Sequence, residues 1–195
     1  SASGPMGKKL SWYLTGSNRD FNTAQLINGQ ILDPSTLSPI SFNSTFATPS
    51  KAWQVNPRID YAINPNNTLV LRYYHNSNTS DGGVGGFNLP SQEVFSTSKS
   101  NTVQATETMV IGTRSVNELM FQFRDNRSNS NAAFTAGPTI SVSNAFTSGG
   151  NSQANFNRNR QYEFQEINTI TQGKHTMKFG GGFRENQTNV RSTSN

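Results

Sequence analysis

The chain has 195 residues, 32% of them hydrophobic and 14% charged, with a net charge of +5 and a pI near 9.7. It has no cysteine, which excludes disulfides and thiolate metal sites, and its basic residues are scattered, which argues against nucleic-acid binding. Aromatics make up 10% of the residues and fall in periodic runs, which excludes disorder, and no run of about 18 apolar residues offers a transmembrane helix.

Residues 1–5, Ser-Ala-Ser-Gly-Pro, have no charged n-region or apolar h-region. No signal peptide is expected there, so on an export reading the signal was removed or lies upstream. The first strand is expected near residues 8–17, where Leu10, Trp12 and Leu14 alternate with Ser11, Tyr13 and Thr15. Residues 18–50 are rich in Asn, Ser, Thr and Pro and read as a long connection. A hairpin follows. Its first arm, residues 53–63, sets Trp53, Val55, Ile59, Tyr61 and Ile63 against Gln54, Asn56, Arg58, Asp60 and Ala62. Asn64-Pro65-Asn66-Asn67 is turn chemistry, because Pro presets φ and Asn tolerates a left-handed backbone. The second arm, residues 68–75, sets Leu69, Leu71 and Tyr73 against Thr68, Arg72 and Tyr74.

Residues 76–98 read as a second long loop, holding Asp81-Gly-Gly-Val-Gly-Gly-Phe87. Strands are expected at 101–111 and 116–125, with a short turn at 112–115 between them. The later one sets Leu119, Phe121 and Phe123 against Glu118, Met120, Gln122 and Arg124. A third long loop spans 126–159. Strand 160–171, a turn at Gln172-Gly173-Lys174 and strand 175–185 close the series. The last of these sets Met177, Phe179 and Phe183 against Thr176, Lys178 and Arg184, and residues 186–195 read as a polar tail.

The connections alternate between long and short. In an antiparallel up-and-down meander this places every long loop at one end and every short turn at the other, the asymmetry of a transmembrane β-barrel. The aromatics Trp12, Tyr13, Trp53, Tyr73, Tyr74 and Tyr162 fall where an interfacial girdle would need them. The expected fold is therefore all-β, about seven strands. Single-chain barrels usually have even counts and lipid tolerates no free edge, so residues 1–195 are expected to be one segment of a larger barrel or to close by assembling with something else. The alternative is a soluble or self-assembling β-domain, extracellular, that binds carbohydrate or associates through its sheet edges.

Several stretches also resemble one family. Ser3-Gly-Pro-Met-Gly-Lys-Lys-Leu-Ser-Trp-Tyr13 resembles the strand that follows the plug in TonB-dependent outer-membrane receptors, above all the Oar-like type that carries a carboxypeptidase regulatory domain. Pro57-Arg-Ile-Asp-Tyr61 with Asn66-Asn-Thr-Leu69 and Arg72-Tyr73 resembles that family's following hairpin, and Gly85-Gly-Phe-Asn-Leu-Pro90 the loop after it. Asn117-Glu-Leu-Met-Phe-Gln-Phe123 and Gly173-Lys-His-Thr-Met-Lys-Phe-Gly-Gly181 resemble two later strands, in the family's order. The resemblance implies the bacterial outer membrane and energised uptake of a scarce ligand (a glycan, peptide or metal chelate). It also implies partners in outer-membrane lipid and in a plug and further strands.

On this reading Arg58, Asp60, Arg72, Glu118, Arg124, Lys178 and Arg184 are candidates to face the lumen. Asp81, Phe87 and Phe95 are candidates to touch ligand from a loop. No catalytic or metal site and no cofactor is expected. His75 and His175 have no ligand-like neighbour, Gln172-Gly173-Lys174 lacks the rest of a phosphate loop, and no Gly-x-Ser-x-Gly elbow occurs. The glycines after Asp81 could nest an anion, but a flexible loop is the plainer reading.

Overall fold

The computed structural model describes residues 1–193. In chain order its strands are β1 (Ala2–Pro5), β2 (Leu10–Leu32), β3 (Pro39–Asn64), β4 (Asn67–Gly82), β5 (Val94–Ile111), β6 (Ser115–Ala132), β7 (Thr139–Val142), β8 (Phe146–Gly149), β9 (Ala154–Gln172) and β10 (His175–Thr193). Eight of them form one antiparallel sheet in the order β1-β2-β3-β4-β5-β6-β9-β10, and β7 and β8 form a separate hairpin. Seven long strands match the expected meander. The eighth, β1, is a short strand paired with Ser11 to Leu14 of β2 that the periodicity did not reveal. Among the described residues β1 and β10 do not pair, so the sheet stays open.

The short turns fall where turn chemistry placed them. Asn64 Oδ1 accepts from the Asn66 N–H at 2.9 Å, and Gly112 and Gly173 take φ near +62° and +61°, a region open to glycine at no steric cost.

The long connections are shorter than expected because the strands run further. Residues 18–50 are mostly strand: the β2–β3 ladder continues from Asn18↔Trp53 to Leu32↔Pro39 around a tight turn at 33–38. Likewise β10 runs to Thr193 through the expected tail, whose last residues, Ser194 and Asn195, lie outside the described residues. Strand pairing uses only backbone groups, and a strand with water on both faces has no need of apolar side chains. Alternation therefore marks only the part of each strand that meets an apolar medium. Pro57 sits inside β3 without an N–H, and pairing with β4 lapses at 56 and 57 before resuming in the same register.

The register sorts the side chains into two faces. One row of direct cross-strand neighbours runs Trp12, Ile59, Leu71, Ala105, Phe121, Phe164, Phe183. Trp12 and Ala105 are half-buried and the other five are exposed: Leu71 is 41% accessible, Phe121 46% and Phe183 63%. Only Ile27 and Val84 are buried hydrophobics among the described residues. A soluble domain of this size buries a core, and this sheet has none. The apolar band also slants. On β3 it reaches Trp53, but the same row arrives at Asn189 on β10, where the band lies lower, from Met177 to Phe183. A constant height that shifts register from strand to strand is the mark of strands tilted to a barrel axis.

The turn at 33–38 is a local test. Asp33 Oδ1 accepts from the N–H groups of Ser35 (2.7 Å) and Thr36 (2.9 Å), and these backbone bonds hold its carboxyl below the usual 3.8. A depressed folded pKa stabilises the turn above 3.8 and loses that stabilisation as pH falls through the lowered value. The protection of the Ser35 and Thr36 amides, taken relative to their intrinsic exchange rates at each pH, is expected to fall only in that acid range, and Asp33→Asn to remove that fall. An unchanged profile in the variant would contradict the role given to the carboxylate.

Candidate functional site

The polar face carries all seven of the charged residues singled out in the sequence. Arg58 and Asp60 on β3, Arg72 on β4, Glu118 and Arg124 on β6, and Lys178 and Arg184 on β10 share it by register. One row concentrates them: Tyr13, Arg58, Arg72, Gln104, Gln122, Glu163, Arg184 are successive cross-strand neighbours. Arg58 Nε donates to Asp60 Oδ1 at 2.8 Å, and Arg184 Nη2 donates to Glu163 Oε1 at 2.8 Å. Arg72 faces Arg58 directly and, among the described residues, makes no ion pair. Like charges opposed across strands destabilise a sheet unless something answers them.

Sequence reading missed Glu163, although one step of alternation from Tyr162 and Phe164 puts it on the polar face. It also assigned Tyr13 and Tyr74 to the girdle. Each follows another aromatic, and consecutive strand residues point to opposite faces. Tyr13 and Tyr74 therefore lie on the polar face, where they line a groove of about 370 Å³ with Thr15, Asn56, Arg58 and Arg72. The girdle keeps Trp12, Trp53, Tyr73 and Tyr162 on the apolar face. There Trp53 packs on His75 with centroids 4.5 Å apart, and Tyr73 Oη donates to Asn101 Oδ1 at 2.8 Å.

A second groove, of about 520 Å³, lies towards the long-loop end. Asn78, Ser96, Ser98, Ser128, Asn155 and Asn157 dominate its lining, and no charged side chain enters it. Both grooves open on the polar face.

The loop candidates are dispersed. Asp81 and Phe95 are paired strand residues at the tips of β4 and β5, and both belong to the apolar-band face. Phe87 stays in a loop and is exposed. The glycine-rich stretch is no anion nest. The Gly85 and Gly86 N–H groups donate to the carbonyls of Asn88 (3.1 Å) and Leu26 (2.8 Å), and a Cβ on Gly83 would collide with the Gln92 carbonyl. These bonds are part of a cap. Asn28 N–H donates to Gly86 O (2.8 Å), Gln30 N–H to Ala145 O (3.1 Å) and Leu89 N–H to Thr147 O (2.9 Å). The β4–β5 loop and the β7–β8 hairpin thus join each other and the free edge of β2. Inside the cap, burial and then the nearby Asp81 push the Glu93 carboxyl up.

A meander with an exposed apolar band, a polar face, short turns at one end and capped loops at the other defines a membrane-spanning β-barrel protein. The family comparison specifies it further. The outer membrane beta barrel domain matches residues 18–195, and the chain belongs to this family. Its place is the bacterial outer membrane. No curated protein and no solved structure matches.

The absence of cysteine makes the faces directly testable. In bilayers, Gln104→Cys and Gln122→Cys are expected to react with a water-soluble maleimide. Their sequence neighbours Val103→Cys and Phe121→Cys are expected to stay unlabelled. Equal labelling of both pairs would refute the two-face assignment.

Proposed function

We propose that this chain supplies barrel strands to a TonB-dependent receptor that takes up a scarce ligand, and that it is a transport protein, not an enzyme. The observation that carries the reading is the continuous polar face, with its charged row and two grooves, backed by an exposed apolar face. The motif resemblance supports the receptor type. On this reading the apolar band meets outer-membrane lipid and Arg58, Asp60, Arg72, Glu118, Arg124, Lys178 and Arg184 line the lumen. Glu163 joins them. The free guanidinium of Arg72 and the charged row give a plug something to bind. The exposed edge of β10, 19 residues long, pairs with further strands, because lipid leaves no backbone group unsatisfied.

The larger groove narrows the ligand. Its Ser and Asn lining offers many donors and acceptors and no charge, which suits a neutral, hydroxyl-rich molecule. A glycan fits this chemistry better than a metal chelate or a charged peptide. A soluble sheet that self-assembles through its edges would satisfy β10 as well. It would leave the apolar band in water, with Ile27 and Val84 as its only buried hydrophobics among the described residues.

Two outcomes test the proposal. Leu71→Arg and Phe121→Arg place a charge in the apolar band and are expected to cost about 2–4 kcal/mol of bilayer folding stability near the midplane. Met120→Arg, on the polar face, is expected to fold normally. The check is a heat-modifiability gel after refolding into liposomes, and normal folding of the first two variants sinks the lipid-face assignment. In cells, uptake of labelled oligosaccharides by the full receptor is expected to stop when an uncoupler collapses the proton gradient. Uptake that continues at the same rate is passive, and then the receptor reading fails.

A further inference from the structure

The face with the apolar band also bears a group of cations for which uptake has no use. On β5, β6 and β9 the register sets Lys99, Arg127 and Arg158 side by side in one row. One row nearer the band, Asn101, Asp125 and Arg160 are neighbours in the same way. Next come Phe123 and Tyr162, on the same face, with ring centroids 5.0 Å apart. The cations therefore sit directly on the rim of the apolar band, on its long-loop side.

Asp125 is buried beneath them and holds two guanidiniums at once. Arg127 donates from Nε (3.0 Å) and Nη2 (2.6 Å) to Oδ2. Arg158 donates from Nε to Oδ1 (2.8 Å) and from Nη2 to Oδ2 (3.0 Å). Arg160 Nε stands 4.0 Å from Oδ1. Glu185, on β10 of the same face, accepts from Gln187 Nε2 at 2.7 Å. One carboxylate thus anchors three arginines, with a lysine beside them. Arg127 and Arg158 sit directly opposite each other, and the single charge of Asp125 answers only one of theirs. Each guanidinium has five N–H donors, so both keep several unused, and planar guanidinium donors match phosphate oxygens.

A groove of about 220 Å³ adjoins the cluster, lined by Arg158, Arg160, Gln187, Thr188 and Asn189. The Gln187 and Asn189 amides beside two guanidiniums suit a phosphorylated sugar; the Thr188 hydroxyl belongs to the opposite face, where Asn159 Nδ2 donates to it at 2.9 Å. The apolar side chains of Tyr162, Phe164 and Phe183 lie next along the strands. Phosphate and sugar partners thus lie side by side, with the aromatic side chains below them and Glu185 beside Tyr162. In outer-membrane barrels the long-loop end is the extracellular one, so the rim lies at the outer leaflet.

We propose that Lys99, Arg127, Arg158 and Arg160 bind the phosphorylated sugar headgroup of an outer-leaflet glycolipid, whose acyl chains lie along Tyr162, Phe164 and Phe183. Asp125 is a positioning residue that preorganises the arginines. The inference rests on the outward assignment of the apolar face, which the cysteine labelling tests separately, and not on uptake.

The experiment measures binding of lipid A, a bisphosphorylated glycolipid, to the full-length protein in neutral-detergent micelles. The comparison ligands are enzymatically dephosphorylated lipid A and inorganic phosphate. Arg158→Glu with Arg160→Glu is expected to weaken lipid A binding at least tenfold. Arg160→Gln with Lys99→Gln leaves the Asp125–Arg127–Arg158 bonds intact and so guards against misfolding; it is expected to weaken binding severalfold and flatten its salt dependence. Arg19→Glu, a cation elsewhere on the sheet, is expected to change nothing. Tight binding that survives both double variants overturns the proposal. So does equal affinity for the dephosphorylated lipid, and so does full competition by inorganic phosphate, which would mark a free-anion site.

Discussion

The backbone ladder is the constraint on which everything else here depends. From Leu10 to Thr193 nearly every long stretch is hydrogen-bonded to the strand before or after it in the chain. The ladder is indifferent to side chains, so it runs unbroken through apolar segments and through Asn- and Ser-rich ones. It also replaces the hydrophobic core, which here amounts to Ile27 and Val84. A sheet of this kind reaches a stable state when something outside the protein accepts its apolar face, and in the outer membrane that is lipid. Pro57 shows how narrow the requirement is: it lacks one N–H, and pairing lapses only at that point.

Given the ladder, alternation divides the work. Residues two apart share a face, so the same seven long strands present Trp12, Ile59, Leu71, Phe121, Phe164 and Phe183 to one side and Arg58, Arg72, Glu163 and Arg184 to the other. The charges on the polar face lie apart from the aromatic band. On the apolar face three arginines gather at the rim above the band, around Asp125, while Glu107 and Glu166 lie lower, beside Leu69 and Leu119, and accept from Asn67 and Asn117. A charge near mid-band would cost several times more than one at the edge. Depth therefore fits the place of the arginines at the rim, and not that of the two glutamates.

The long-loop end follows a different rule. Above the band neither face needs apolar residues, and the β2 edge is unpaired beyond Leu14 in the main sheet. The β4–β5 loop and the β7–β8 hairpin pair with it through Gly86 and Ala145 and bury Ile27. What composition alone presents as three flexible loops is one hydrogen-bonded cap over the end of the sheet where the larger groove lies.

The sequence by itself determined the meander, the short turns, the separation into faces and the outer-membrane class. Each rests on local chemistry: a period of two, Asn-Pro-Asn-Asn and Gly173 at turns, and the spacing of apolar residues. All seven charged candidates were legible in this way, because the parity of a residue within a strand fixes its face. Register, strand length and proximity were decided only by the tertiary structure. Asp125, Arg127, Arg158 and Arg160 look scattered along the chain, yet pairing of β6 with β9 brings them within hydrogen-bonding and ion-pair distance. Residues 18–50 read as loop because their pairing leaves no mark on side-chain polarity. Asp81 and Phe95 read as loop residues for the same reason, and only the β4–β5 ladder shows that they are strand neighbours on the face of the apolar band. Side-chain pattern records what medium a strand touches; which strand lies beside it is a long-range choice that no short stretch of sequence contains.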